Sequence, residues 1–375
     1  MNQIATLDEL HAAATAATGL SDFGDTDYRE GLQRILWSYE RESALTPLGV
    51  DLAREELVGI LAGRLSSEYG WRQHPEHRDV PIERPVFVVG PTRTGTTTLH
   101  RLLTADPAHQ GLETWLGFFP QPRPPRAQWP SNPGFQRTQA GIEQFLQAHP
   151  GYAGVHNRRA GESEECWLLT RQSVTSAYFE FTADVPSYTA WRRGVDMTAT
   201  YERHRRNLQL VGLNDPGRRW ILKYAGHMLC IDALLTVYPG ALIVQTHRRP
   251  HAKVLASTCS MVRHLAAGRS EAMSEAVIGQ RMLALMQESM TEFRQARARH
   301  DESSFFDVDF AEFVAEPIKV AAAIYERLGI ELTPQTHAEM EHVLAVEDGL
   351  RQHQYALADF GLSASEVEAR MAGVA

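Results

Sequence analysis

Pro85 to His100 reads PVFVVGPTRTGTTTLH, and this stretch narrows the possible folds more than any other part of the chain. A β-branched apolar run, Val86 to Val89, stops at Gly90. A loop of Pro, Thr, Arg and Gly follows, and a helical pattern beginning around Thr96 then carries Leu99, Leu102 and Leu103. Strand, tight loop and helix N-terminus in that order make an anion site. Successive backbone N–H groups converge on one concavity, and the helix dipole adds partial positive charge there. Gly90 and Gly95 stand five positions apart, the glycine spacing of a Walker A loop. Thr96 occupies the place of the Lys that follows the second glycine, and the cation lies inside the loop as Arg93. The loop is built for phosphate without the Lys that grips the β- and γ-phosphates of ATP.

Further along, strand signals alternate with helices. Arg219 to Lys223 (RWILK), Ala241 to Thr246 (ALIVQT) and Ser304 to Phe310 (SFFDVDF) read as strands. Helices are expected from His227 to Tyr238, from Pro250 onward, and over PIKVAAAIYERLG up to Gly329. This alternation predicts an α/β fold: a P-loop NTPase-like parallel sheet with helices on both faces. Ligands bind such sheets at the carboxyl ends of the strands, here just after Val89, Ile221–Leu222 and Val244.

Residues 1–80 read as a helical N-terminal region packed on the main domain, which spans 81–375. Thr6 and Glu9 form a capping box, and Leu32, Ile35, Leu36 and Tyr39 recur at helical spacing. So do Leu57, Ile60, Leu61 and Leu65, before the polar connector His74 to Glu83. Residues 106–206 form an insertion with a Pro-rich piece, FPQPRPPRAQWPSNPG, and many aromatics, among them Trp115, Phe118, Trp129, Trp167, Tyr178 and Phe181. Such an insertion walls a ligand pocket or builds a second small core.

The 375-residue chain carries a net charge of −9, which argues against nucleic acid as a partner. Arg203-His204-Arg205-Arg206 reads as a solvated helix face. Cys166, Cys230 and Cys259 lie too far apart for a zinc or disulfide framework and suit a reducing compartment. The N-terminus has no apolar core of a signal peptide, and no run approaches the ~18 apolar residues of a membrane span. The expectation is a cytoplasmic protein without a transmembrane segment; a homo-oligomer stays open.

Thr92-Arg93-Thr94-Gly95-Thr96-Thr97 resembles the 5′-phosphosulfate loop of sulfotransferases that use 3′-phosphoadenosine 5′-phosphosulfate (PAPS), with Thr92 where that loop has Pro. The resemblance implies that Arg93, Thr94, Gly95, Thr96 and Thr97 hold the 5′-phosphosulfate. The family's 3′-phosphate site pairs an Arg after a strand with a Ser eight residues later. Arg249 and Ser257 have that spacing, whereas the Arg-x-Pro wording selects Arg248 and puts Ala256 at the Ser position. Glu113 lies twenty residues after Arg93, about where related sulfotransferases lacking a catalytic His, the protein-tyrosine type included, carry a catalytic Glu. The resemblance thus implies Glu113 as base, with His227 as runner-up and His100 behind it. Lys223 resembles the family's strand-end Lys that neutralises the leaving group. The tail, DVDFAEFVAEPIKVAAAIYERLGIELTP and then HQYALADFGLSASEVEARM, resembles that of the broad bacterial sulfotransferase family; by spacing, Arg351, His353 and Tyr355 would reach the nucleotide, and no role is assigned to them.

The expected activity is therefore transfer of a sulfuryl group from PAPS, as co-substrate and with no metal, to a hydroxyl or amine of an apolar small-molecule or lipid acceptor. Arg93 and Lys223 would offset charge on the bridging oxygen. Two alternatives remain: a P-loop nucleotide kinase or hydrolase, and a non-catalytic protein that binds an adenosine phosphate. The first calls for a Walker Lys and a strand-end Asp, where this chain has Thr96 and Gln245-Thr246-His247, with Asp307 and Asp309 as weak substitutes.

Overall fold

The computed structural model describes residues 4–148, 158–347 and 356–374. Arg351, His353 and Tyr355 lie outside the described residues. Among the described residues five strands, β1 (Val86–Val89), β2 (His109–Gln110), β3 (Arg219–Lys223), β4 (Leu242–His247) and β5 (Phe305–Asp309), form one sheet in the order β2-β3-β1-β4-β5. All pairings are parallel, and β1 is central, with Val86 opposite Ile221 on one side and Leu242 on the other.

β1 is apolar at every position because both faces of the sheet are covered. Val86 and Val88 pack with Leu99, Leu102, Leu103 and Ile324, while Phe87 and Val89 pack with Leu234, Leu255 and Phe293. The chain fills the sheet to one side of β1 and then to the other. That order makes the carboxyl end of β1 a topological switch point, where open α/β sheets bind ligands.

The three strands expected after β1 are present within a residue or two. β2 carries no legible signal, being two polar residues long and held by β3 alone among the strands. The helix expected over His227 to Tyr238 is divided into a 3₁₀ turn, Ala225–Leu229, and a helix, Ile231–Val237.

The N-terminal region folds as helices Leu7–Thr18, Tyr28–Arg41 and Pro47–Gln73, the first with the Thr6–Glu9 capping box in place. Leu32, Ile35, Leu57 and Leu61 share one cluster with Val174, Phe179 and Tyr188 of the insertion, so these helices complete their core with residues from outside the region. The expected solvated face at Arg203–Arg206 holds at Arg205, which is exposed, and is corrected at Arg203 and His204. Its helix, Thr198–Val211, lies between the long N-terminal helix and the sheet domain, and Arg203 and His204 are buried. Arg203 donates to Glu68 at 2.7 Å, and His204 Nδ1 bonds the Tyr238 hydroxyl at 2.8 Å. No helix among the described residues is long and apolar enough to cross a membrane.

Candidate active site

The loop between β1 and the helix Thr96–Thr104 depends on backbone that ordinary residues avoid. Gly90 has φ +147°, Arg93 +71° and Gly95 +90°. A Cβ on Gly90 would lie 2.3 Å from Thr246 Oγ1 and 2.8 Å from the Thr246 carbonyl oxygen, so the loop passes this closely over β4 only with glycine there. Thr94 turns its side chain inward. Its hydroxyl donates to the Pro91 carbonyl at 2.7 Å and shares a 2.5 Å hydrogen bond with Thr246. Thr94 thus fastens the loop to β4, and what it can offer an anion is its backbone N–H. Thr96 is also largely buried, whereas Thr97, in the first helical turn, is half-exposed.

Arg93 draws three elements together. Its Nε donates to Ser257 Oγ at 3.0 Å on the helix His251–Ala266, and its carbonyl accepts from Arg248 Nη1 at 2.6 Å. The Arg248 guanidinium sits 4.0 Å above the Phe310 ring, and burial together with the Arg93 charge pushes its pKa down. Two guanidinium groups this close favour an anion beside them. Arg248 and Ser257 therefore meet at one residue, a pairing that neither sequence register contained. Arg249 is exposed and, together with Arg248, Gln245, His247, Arg294 and Arg297, lines a cavity of about 200 Å³.

Lys223 closes β3 with its ammonium buried beside the loop. It donates to Glu165 Oε1 at 2.5 Å and reaches Thr97 Oγ1 at 3.4 Å. The Glu165 backbone is placed by its neighbour, since Cys166 N–H donates to the Lys223 carbonyl at 2.9 Å. Glu165, Pro91 and Thr92 line one cavity of about 300 Å³ whose remaining walls are mainly apolar, including Phe118, Trp167, Tyr178 and Phe181 of the insertion. Other aromatics of the insertion, Trp115, Trp129 and Phe135, pack on one another instead. The insertion is both a wall and a core.

Glu113 is elsewhere. It precedes the short helix Thr114–Phe118, and its carboxylate accepts from Arg123 Nε at 3.1 Å. Arg123 also donates to Asp215 at 2.7 Å, to Gln110 Oε1 at 2.7 Å and to the Gly111 carbonyl at 2.8 Å. Glu113 thus belongs to a buried hydrogen-bonded node at the β2 edge and is not among the residues lining the apolar cavity. His227 is wholly buried, with Nδ1 bonded to the Tyr201 hydroxyl at 2.6 Å and no hydrogen-bond partner for Nε2. Burial drives its pKa well below the ordinary histidine value. His100 bonds the Ile221 carbonyl at 3.0 Å, and burial, aided by Lys223, lowers its pKa to about 3.

The structure thus gathers Arg93, Arg248, Ser257, Thr97 and Lys223 around the loop, and it leaves Glu113, His100 and His227 in packed interior positions. Sequence reasoning missed Glu165. Its signal was the acidic run Glu162-Ser163-Glu164-Glu165 set against Cys166-Trp167-Leu168 inside an otherwise apolar stretch.

Residues 85–334 match the model of the sulfotransferase family. No curated protein matches the chain. Among solved structures, sulfotransferase STF1 from Mycobacterium tuberculosis H37Rv is 46% identical, with each chain fully covered and a TM-score of 0.92. STF9 from Mycobacterium avium is 27% identical over all of this chain and 96% of its own, with a TM-score of 0.87. With a P-loop-like anion site at the sheet's switch point and a family match over most of its length, this chain belongs to the sulfotransferase family.

Proposed function

We propose that the protein transfers a sulfuryl group from PAPS to the hydroxyl of an apolar acceptor. The observation that carries this reading is the position of Lys223, whose ammonium lies between the first turn of the loop's helix and a carboxylate facing the apolar cavity. Loop amides and Thr97 would hold the 5′-phosphosulfate at the helix N-terminus, and Arg93 and Lys223 would offset charge on the bridging oxygen. Arg248 with Ser257 is the favoured clamp for the 3′-phosphate, since a guanidinium and a hydroxyl match a phosphate monoester. Glu165 is favoured over Glu113 as base because it borders the cavity where an acceptor would lie. The Glu165 carboxylate takes the acceptor's hydroxyl proton as the acceptor oxygen bonds to sulfur. The sulfur–oxygen bond to the phosphate breaks, and its electron pair stays on the phosphate beside Lys223. The products are a sulfate ester, 3′-phosphoadenosine 5′-phosphate and a protonated Glu165.

The test is calorimetry with 3′-phosphoadenosine 5′-phosphate and with nucleotides lacking the 3′-phosphate, followed by turnover assays with labelled PAPS and a set of alcohols. Each charge-assisted contact contributes roughly 1.5–3 kcal/mol, so loss of the 3′-phosphate should weaken binding about tenfold to a hundredfold. Equal affinity would remove the 3′-phosphate clamp. Tight binding without turnover would favour a non-catalytic binder, and Mg²⁺-dependent ATP turnover a kinase or hydrolase.

A further inference from the structure

We propose that the acceptor bound in the apolar cavity carries one negative charge, and that Arg171 is its counter-charge. The substrate class is then a hydroxylated, largely apolar organic acid, with a carboxylate at the Arg171 end and the reacting hydroxyl towards Glu165. This deepens the sulfotransferase reading and rests on it for the identity of the reaction.

The motive is an imbalance of charge. The ionisable side chains lining the cavity are Arg158, Glu164, Glu165, Arg171 and Arg269, apart from the Tyr178 and Tyr224 phenols. Arg158 donates to Glu164 at 2.9 Å, and Glu165 is neutralised by Lys223. Arg269 lies 3.7 Å from Glu56 of the long N-terminal helix. The Arg171 guanidinium has no hydrogen bond and no ion pair among the described residues, although the residue is only 6% exposed. Glu56 is the carboxylate that acts on its charge, and it is already shared with Arg269. Tyr178 and Tyr224 add no charge, because burial raises both phenols above the ordinary tyrosine pKa. Two guanidinium groups thus face one carboxylate, leaving one positive charge. Residues 149–157, which adjoin Arg158 in the chain, contain no Asp or Glu to balance it.

Burial of a guanidinium without an acceptor for its N–H groups is unfavourable, and cores replace such groups unless something satisfies them. Here the group is held ready. Arg171 sits 4.7 Å from the Phe118 ring and 4.9 Å from the Trp167 ring, and Trp167 in turn stacks on Tyr178 at 4.4 Å. The aromatic faces fix the orientation of the guanidinium plane and supply part of the lost solvation, but they accept none of its five N–H donors in the plane. A carboxylate does so bidentately. The same rings then flank an apolar body, so the site selects for an acid attached to a hydrocarbon.

The experiment is calorimetry on the full chain with bound 3′-phosphoadenosine 5′-phosphate, using decanoate, decanol and decylamine below their micellar concentrations. Decanoate should bind at least about tenfold more tightly than decanol, with decylamine weakest. The preference should vanish in Arg171→Met and survive in part in Arg171→Lys, while nucleotide affinity stays unchanged. Equal binding of decanoate and decanol to the parent protein overturns the proposal, as does a preference that persists in Arg171→Met. If Arg171→Met fails to fold, shown by lost nucleotide binding, the parent comparison and Arg171→Lys decide. A decanoate preference without PAPS turnover would keep the anion site and overturn the reaction, whereas turnover of neutral alcohols with no preference for acids would do the reverse.

Discussion

Lys223 and Arg123 are buried cations with opposite consequences for the carboxylates beside them. Lys223 holds Glu165 at the mouth of the loop, while Arg123 draws Glu113 into a node with Asp215, Gln110 and Gly111. A general base contributes roughly 10²–10⁴ in rate, so Glu165→Gln should lose turnover on that scale while still binding the product nucleotide. Glu113→Gln should remain active when folded but lose about 1–3 kcal/mol of stability, because it weakens a charge-assisted bond in a buried node. Turnover, nucleotide titration and urea unfolding on the two variants separate these outcomes. An inactive but stable Glu113→Gln beside an active Glu165→Gln would return the base role to Glu113. Lys223→Ala should lower turnover by roughly 10²–10³, the usual loss for an electrostatic donor, and should weaken product binding much less. Near-normal turnover at saturating donor would take the leaving-group role from Lys223. Arg93 and Lys223 were placed at one sheet end from the sequence, because one lies in the loop after β1 and the other closes the adjoining strand β3. The contact between Glu165 and Lys223 spans 58 positions, and local pattern carries no trace of it.

Among the elements, the β1–loop–helix unit was legible down to its glycines, since each step obeys a local rule: an apolar strand, a left-handed turn and a helix start. β2 was not legible, because two polar residues acquire strand geometry only by pairing with β3. The loop also gives a test at this scale. Gly90→Ala places a Cβ against Thr246 in backbone with φ +147°, so it should cost roughly 1–3 kcal/mol and disturb the amides that face the anion. Nucleotide affinity should fall together with the thermal midpoint. Unchanged affinity and stability would mean that the loop can relax away from β4. At the carboxyl end of β5, Asp309 caps the helix Phe310–Ala315 by accepting from Ala311 and Glu312 N–H groups. Asp309, a weak substitute for a kinase's strand-end Asp, is therefore engaged in a helix start.

For the whole molecule, three core histidines tie stability to pH. His100 and His204 are held at about 3 and His227 well below its ordinary value, in each case mainly by burial. All three are neutral in the fold, with folded pKa values below the unfolded one near 6.5. Their stabilisation is therefore complete above about pH 6.5 and is lost as pH falls, when only the unfolded chain takes up protons. The expected slope is about 1.4 kcal/mol per pH unit for each histidine. Carboxylates enter lower, below about pH 4, Asp307 among them, since His247 and Arg297 hold its pKa down. Urea midpoints measured between about pH 7.5 and 5 should fall steadily, and a flat profile would show that these histidines are protonated within the fold. The burial behind this behaviour is where local reading stops. Periodicity, glycine placement and β-branched runs specified the parallel sheet, the position of its anion loop and the helical start of the chain, because those features arise from contacts between near neighbours and from backbone sterics. Which side chains lie inside, which carboxylate meets Lys223, and which guanidinium lacks an ion pair among the described residues depend on segments folded together from distant parts of the chain. The packing of the N-terminal helices and the aromatic insertion around the sheet settled those questions, since burial and electrostatic pairing are properties of the assembled interior.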